Sequence, residues 1–239
     1  VDWVRSKVGP PLELMNSTEQ LQDALKGRGV HSAAVAKGQL GLKEIMTRLA
    51  ERNRAWGKFF FLTEGEGRNQ VQVFRGLDEV VSAPFEVDID RQALEPDLYK
   101  FLQAEQLPVF GEISQENFYH YETSGADGLL WVIFANNTGL PCWGVQCQQQ
   151  AQEHASDFRS LAGRYPRLKV VYVDAAAHQD YIVEDLGLSR FPALLLQKGT
   201  LSAMDSKLET FTFPWTFQQP LELLAVYRWI EEVFGMSKV

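Results

Sequence analysis

The chain has 239 residues, 45% of them hydrophobic, and a formal net charge of -8. At about 100–200 residues per domain this length admits one or two domains with room for a core. The acidic balance argues against nucleic acid, whose phosphates demand clustered Lys and Arg, and no apolar run nears the roughly 18 residues that cross a membrane.

In chain order, Trp3–Gly9 reads as a short helical lead-in, closed by Pro10-Pro11, and Leu12–Met15 as a brief strand. Ser17-Thr18-Glu19-Gln20 has the form of a capping box and predicts a helix to about Lys26. His31–Ala36 is a weak strand, and Leu42–Arg54 is a helix with Leu42, Ile45, Met46 and Leu49 on one face. Lys58–Thr63 is a buried-type strand, Gln70–Phe74 alternates as a half-exposed strand does, and Phe85–Ile89 is expected to pair with it. Glu95–Gln106 is the next helix, with Pro96 in its first turn.

Leu107-Pro108 is the expected boundary between residues 1–107 and 108–239. After it come a strand at Val109–Ile113, a helix at Gln115–Thr123, an apolar strand at Leu129–Ala135 and a long helix from about Gln146 to Tyr165. Leu168–Val173 is a β-branched strand closed by Asp174, and Asp180–Leu188 a short amphipathic helix. Phe191-Pro192 then stands directly before the strand Ala193–Gln197, where a proline calls for a reason such as a cis peptide bond. Glu209–Phe213 is an edge strand, and Pro220 opens the last helix, which Gly235 ends. The order β-α-β-α-β-α-β-β-α is complete in the second half. The first half repeats it with a gap between Thr63 and Gln70, too short for the third helix. Either that helix has been lost or a disordered segment is absent from the sequence. Alternating strands and helices predict an α/β fold, with sheets covered on both faces.

Four stretches carry a family resemblance: WVRSKVGPP, VFRGLDEVV, LYKFLQAEQLPVFGEIS and LKVVYVDAAAHQDYIVEDLGLSRFPALLL. In order and spacing the chain resembles the non-catalytic b and b′ domains of the protein disulfide isomerase family. The resemblance implies two tandem thioredoxin-like domains, each a mixed central sheet flanked by helices. Neither carries Cys-x-x-Cys, the pair that exchanges thiols and disulfides, and the first lacks a proline before Val71.

Cys142 and Cys147 follow the strand Leu129–Ala135, where a redox domain would hold its motif, but they are spaced C-x4-C. If the whole segment were helical, five steps of about 100° would place the sulfurs roughly 140° apart and forbid a disulfide. If the helix begins near Gln146, a small closed ring is feasible. Free buried thiols, a structural disulfide and redox work all stay open; no Lys, His or acidic residue lies in the loop to serve as a base. His31, His120, His154 and His178 show no metal-ligand spacing, and nothing calls for a cofactor.

The family's b′ domain takes unfolded polypeptide into an apolar pocket. The resemblance places that pocket at Ile113, Phe118 and Tyr121 on one side and Ile182, Asp185 and Leu186 on the other, with the Lys198-Gly199 turn at the rim. The same residues also read as ordinary core, and Asp185 sets a carboxylate where the family has an apolar wall. Some members of the family dock an acidic lectin chaperone on a basic b′ surface, and the resemblance implies that role for the cluster Arg159, Arg164, Arg167 and Lys169, which otherwise reads as a solvated face. Sequons at Asn16 and Asn136 weakly favour a secreted glycoprotein. Val1 in place of Met reads as a fragment or a processed product.

The expected function is the non-catalytic, polypeptide-binding core of an isomerase of the endoplasmic-reticulum lumen, spacing redox domains outside this sequence. The alternatives are a divergent oxidoreductase using Cys142 and Cys147, and a scaffold. A calcium-buffering scaffold would cluster its acidic residues, which here are scattered.

Overall fold

The computed structural model describes residues 9–25, 32–54, 57–64, 68–75, 78–115, 117–124, 126–199, 209–215 and 219–235. The lead-in expected at Trp3–Gly9 falls almost wholly outside them, as does His31. The chain divides into two compact units, Val1–Pro108 and Val109–Val239.

The first unit runs β1 (Glu13–Met15), α1 (Thr18–Leu25), β2 (Ser32–Lys37), α2 (Leu40–Arg52), β3 (Lys58–Leu62), β4 (Gln70–Arg75), β5 (Glu79–Ser82) and α3 (Leu94–Ala104). Ser17 Oγ accepts the Gln20 N–H at 3.2 Å, and Gln20 Oε1 accepts the Asn16 N–H at 2.9 Å, so the capping side chains answer each other across the first turn of α1. The sheet order is β1-β3-β2-β4-β5, parallel from β1 to β2 and antiparallel from β2 to β5. β2 is central and both its faces are buried. Ala34 and Ala36 join Phe59 and Phe61 under α2 and α3, while Ala33 and Val35 join Phe60 and Leu21 on the side of α1. Its alanines weaken its strand propensity but let helices approach a strand covered on both sides.

Two expectations change here. The partner of β4 is Glu79–Ser82, paired antiparallel with Val73 opposite Val81. Phe85–Ile89 forms no strand; Phe85 and Ile89 pack against the core as loop residues. Between Leu62 and Gln70 the described residues contain no helix.

The second unit runs β6 (Phe110–Glu112), α4 (Phe118–Glu122), β7 (Gly128–Ile133), α5 (Val145–Glu153), α6 (Ala155–Arg164), β8 (Leu168–Tyr172), one turn of π-helix (Tyr181–Asp185), β9 (Ala193–Lys198), β10 (Glu209–Phe213) and α7 (Leu223–Val233). The strand order β6-β8-β7-β9-β10, with its parallel and antiparallel pairings, repeats that of the first unit. Every residue of β7 is buried, as expected of a central strand clad on both faces. The single helix expected over Gln146–Tyr165 is two helices, broken at His154. The His154 ring stacks on Phe134, 5.9 Å between centroids, and the buried positions Cys147, Ala151, Ala155, Phe158 and Ala162 continue one stripe across the break. The helix expected at Asp180–Leu188 is reduced to little more than the π turn.

Candidate functional site

The loop from β7 to α5 is the most elaborately built part of the second unit. An isolated bridge pairs Ala135 with Pro141, and the Asn136 N–H donates to the Leu140 carbonyl at 2.7 Å. Asn136 Oδ1 accepts from the Thr138 N–H at 2.9 Å, the Thr138 hydroxyl at 2.6 Å and the Leu140 N–H at 3.1 Å. The Cys142 N–H donates to the Phe134 carbonyl at 3.2 Å. Gly144 takes φ 53° and ψ -129°, a conformation that a side chain disfavours, and its N–H donates to Asp174 Oδ2 at 2.6 Å. That turn delays the start of α5 to Val145 and brings Cys142 back beside Cys147. Their sulfurs are bonded, with the Cα atoms 5.3 Å apart.

Chemistry at these sulfurs is restricted by access. Thiol–disulfide exchange requires an incoming thiolate to reach a sulfur. Cys142 is 0% and Cys147 1% exposed. Cys142 precedes the first turn of α5, and residues 143–146 are all uncharged. Asp174, the nearby carboxylate, accepts two backbone N–H groups, from Gly144 and, at 3.1 Å, from Ala177. Phe191-Pro192 is cis and leads into β9, whose Ala193 pairs with Ile133 at the end of β7.

The residues assigned to the pocket by resemblance lie differently. Ile113, Tyr121, Ile182 and Leu186 are all buried, none more than 7% exposed. Phe118 is half-buried, and Asp185 is exposed rather than lining a wall. Ile182 belongs to the π turn, whose Tyr181 ring lies 5.9 Å from Trp131. Along β7, Trp131 points away from Leu130 and Val132, so this turn covers the Trp131 face of the sheet. At the proposed rim, Lys198 Nζ donates to the Val233 carbonyl at 3.1 Å and sits over the Phe234 ring, and the Gly199 N–H donates to the Asp127 carbonyl.

Arg164 and Arg167 are engaged within their own unit. Arg164 donates to Glu231 at 2.5 Å and stacks over Tyr227, and Arg167 donates to Asp127 at 2.6 Å; Arg159 and Lys169 also have partners. Asn16 is exposed; its Oδ1 accepts the Thr63 hydroxyl at 3.3 Å. Among the described residues no group of His, Cys, Asp and Glu could hold a metal, and no helix is long and apolar enough to cross a membrane. An open recess of about 800 Å3 in the first unit is lined by Gln70, Gln72, Asp88 and Asp90 among others.

No family model matches the sequence, and no curated protein matches it. Solved structures do. The bb fragment of ERp72 aligns over 97% of this chain and 100% of its own length, with a TM-score of 0.66 and 13% identity. Human ERp44 form I aligns over 98% of this chain at a TM-score of 0.62 and 9% identity, and form II over 98% at 0.60 and 10%. This chain spans 58% and 60% of those two structures. The fold is that of two tandem thioredoxin-like domains.

Within that fold the sequence reading passed over Leu140, Trp143 and Val145. The structure leaves all three exposed, around the ring that Cys142 and Cys147 close. One signal was available: no Asp, Glu, Lys, Arg or His stands between Asp127 and Glu153.

Proposed function

We propose that the chain is the non-catalytic b–b′ core of a protein disulfide isomerase of the endoplasmic-reticulum lumen. It binds non-native polypeptide through the second domain and spaces redox domains that lie outside this sequence. The observation that carries this reading is the buried Cys142–Cys147 bond. At the end of β7, where a redox domain of this fold keeps its reactive pair, the sulfurs are closed and sequestered. The full-length alignment with the bb fragment of ERp72 supports the two-domain assignment. Polypeptide uptake at Ile113, Phe118, Tyr121, Ile182, Asp185 and Leu186 would require a local movement that uncovers the four of them that are buried.

The test has two parts. In a thiol–disulfide exchange assay the chain should show no activity above buffer; activity abolished by Cys142→Ser would overturn the non-catalytic reading. Titration with a mastoparan-like amphipathic peptide, followed by NMR, should give saturable shifts in the second domain. Shifts confined to the first domain, or no binding, would overturn the binding reading.

A further inference from the structure

Capturing a non-native chain calls for apolar surface that is already open, and the β7–α5 loop supplies it. Leu140 is 63%, Trp143 71% and Val145 58% exposed, all within six residues. Monomeric domains rarely leave such groups together in water without an interaction to serve. The loop is also fixed. The disulfide, the Ala135–Pro141 bridge, the Asn136 carbonyl with its three donors, and the Gly144–Asp174 bond hold its backbone. A backbone already in place loses little freedom on binding, and tryptophan is among the residues that dominate interface energies.

We propose that Leu140, Trp143 and Val145 form a docking surface for uncharged polypeptide segments bearing aromatic or aliphatic side chains. The proposal rests on the polypeptide-binding reading and names its surface, which is distinct from the buried pocket residues. Charge selects the occupant. From Gly128 to Gln152 the chain carries no ionisable acid, base or histidine, so covering the loop strips water from no charge of that stretch. Its exposed polar neighbours, Asn137, Thr138, Gln148 and Gln149, are neutral and can hydrogen-bond an extended backbone. Charged groups are depleted in interface cores, and the carboxylate bonded to this loop, Asp174, is half-buried and already accepts the Gly144 and Ala177 N–H groups. A second copy of the chain is disfavoured because each carries a net charge of -8.

The full chain should be titrated into a dansyl-labelled neutral peptide of Trp, Leu, Ser and Gly, and into a control peptide with Trp and Leu replaced by Ser. The first peptide should bind and the control should not. Trp143→Ala should weaken binding roughly tenfold and Leu140→Ser about threefold, with Trp143→Phe retaining part of it. Circular dichroism should stay unchanged, since the replaced side chains are exposed. Wild-type affinity in Trp143→Ala, with loss in Phe118→Ala, overturns this surface and leaves the binding reading standing. No binding by the wild type overturns both. A sedimenting dimer that Trp143→Ala dissolves overturns it in favour of self-association.

Discussion

Tyr172 places its phenol in an aromatic cluster, 5.4 Å from the Phe110 ring and 6.4 Å from that of Phe134. Burial raises its pKa above the ordinary phenol value, and the Glu112 carboxylate and the Tyr121 phenol push the same way. Burial raises Tyr165 also, against the opposing pull of Arg164. The folded state therefore prefers both neutral phenols. Below the ordinary value of about 10 the two states are equally protonated and the contribution is fully present; above it the unfolded chain ionises first and stability falls as pH rises. The urea midpoint of the second domain should drop as pH rises above about 10, and Tyr172→Phe should flatten the drop, leaving the smaller share of Tyr165. The cysteines illustrate how far single residues could be read in advance. Their spacing allowed a ring only if the helix started late. What sets that start is the backbone of Gly144 and its bond to Asp174, thirty positions away in sequence. The uncharged stretch marked the loop as unusual, but an apolar residue within it reads as core as readily as surface, so the exposure of Trp143 itself came only from the fold.

At the scale of elements, the Trp131 indole N–H donates to Gln197 Oε1 at 2.8 Å, joining β7 to β9 inside the core. Gln197 is a buried polar residue that follows the apolar run Ala193–Leu196 of the strand. Gln197→Leu keeps the bulk but leaves the indole donor unsatisfied, so it should cost about 1–3 kcal/mol, measured as a lower urea midpoint. Strands such as Lys58–Leu62 and Leu168–Tyr172 were legible because their apolar, β-branched or aromatic runs have no helical competitor. β5 was missed because Glu79-Val80-Val81-Ser82 is short and follows its turn at once, while the more apolar Phe85–Ile89 drew the assignment. The break at His154 left no mark in the sequence, with neither Gly nor Pro there and a buried stripe that runs through it. The pocket residues were legible as apolar, but only tertiary packing decides that four of them are interior.

For the whole molecule, two sheets of the same strand order, each in its own compact unit, imply two separable folding units. Urea unfolding should resolve into two transitions. A Cys142→Ala/Cys147→Ala double variant should lower only the second domain's stability, by about 2 kcal/mol, as a short closed ring predicts. A single shared transition shifted as one would contradict that independence. The repeat of strand order was the most readable feature of the chain, since alternating elements on either side of Leu107-Pro108 leave few topologies. β10 is the last strand of the second sheet, and among the described residues nothing pairs with its outer edge. Its alternating Thr and Phe would suit cross-β stacking between molecules. Glu209 opens that strand and Pro214 follows it directly, a carboxylate that repels its own image and a residue with no N–H to offer. Fibril growth from this margin is thus opposed at both ends, a safeguard that matters for a protein proposed to work among unfolded chains.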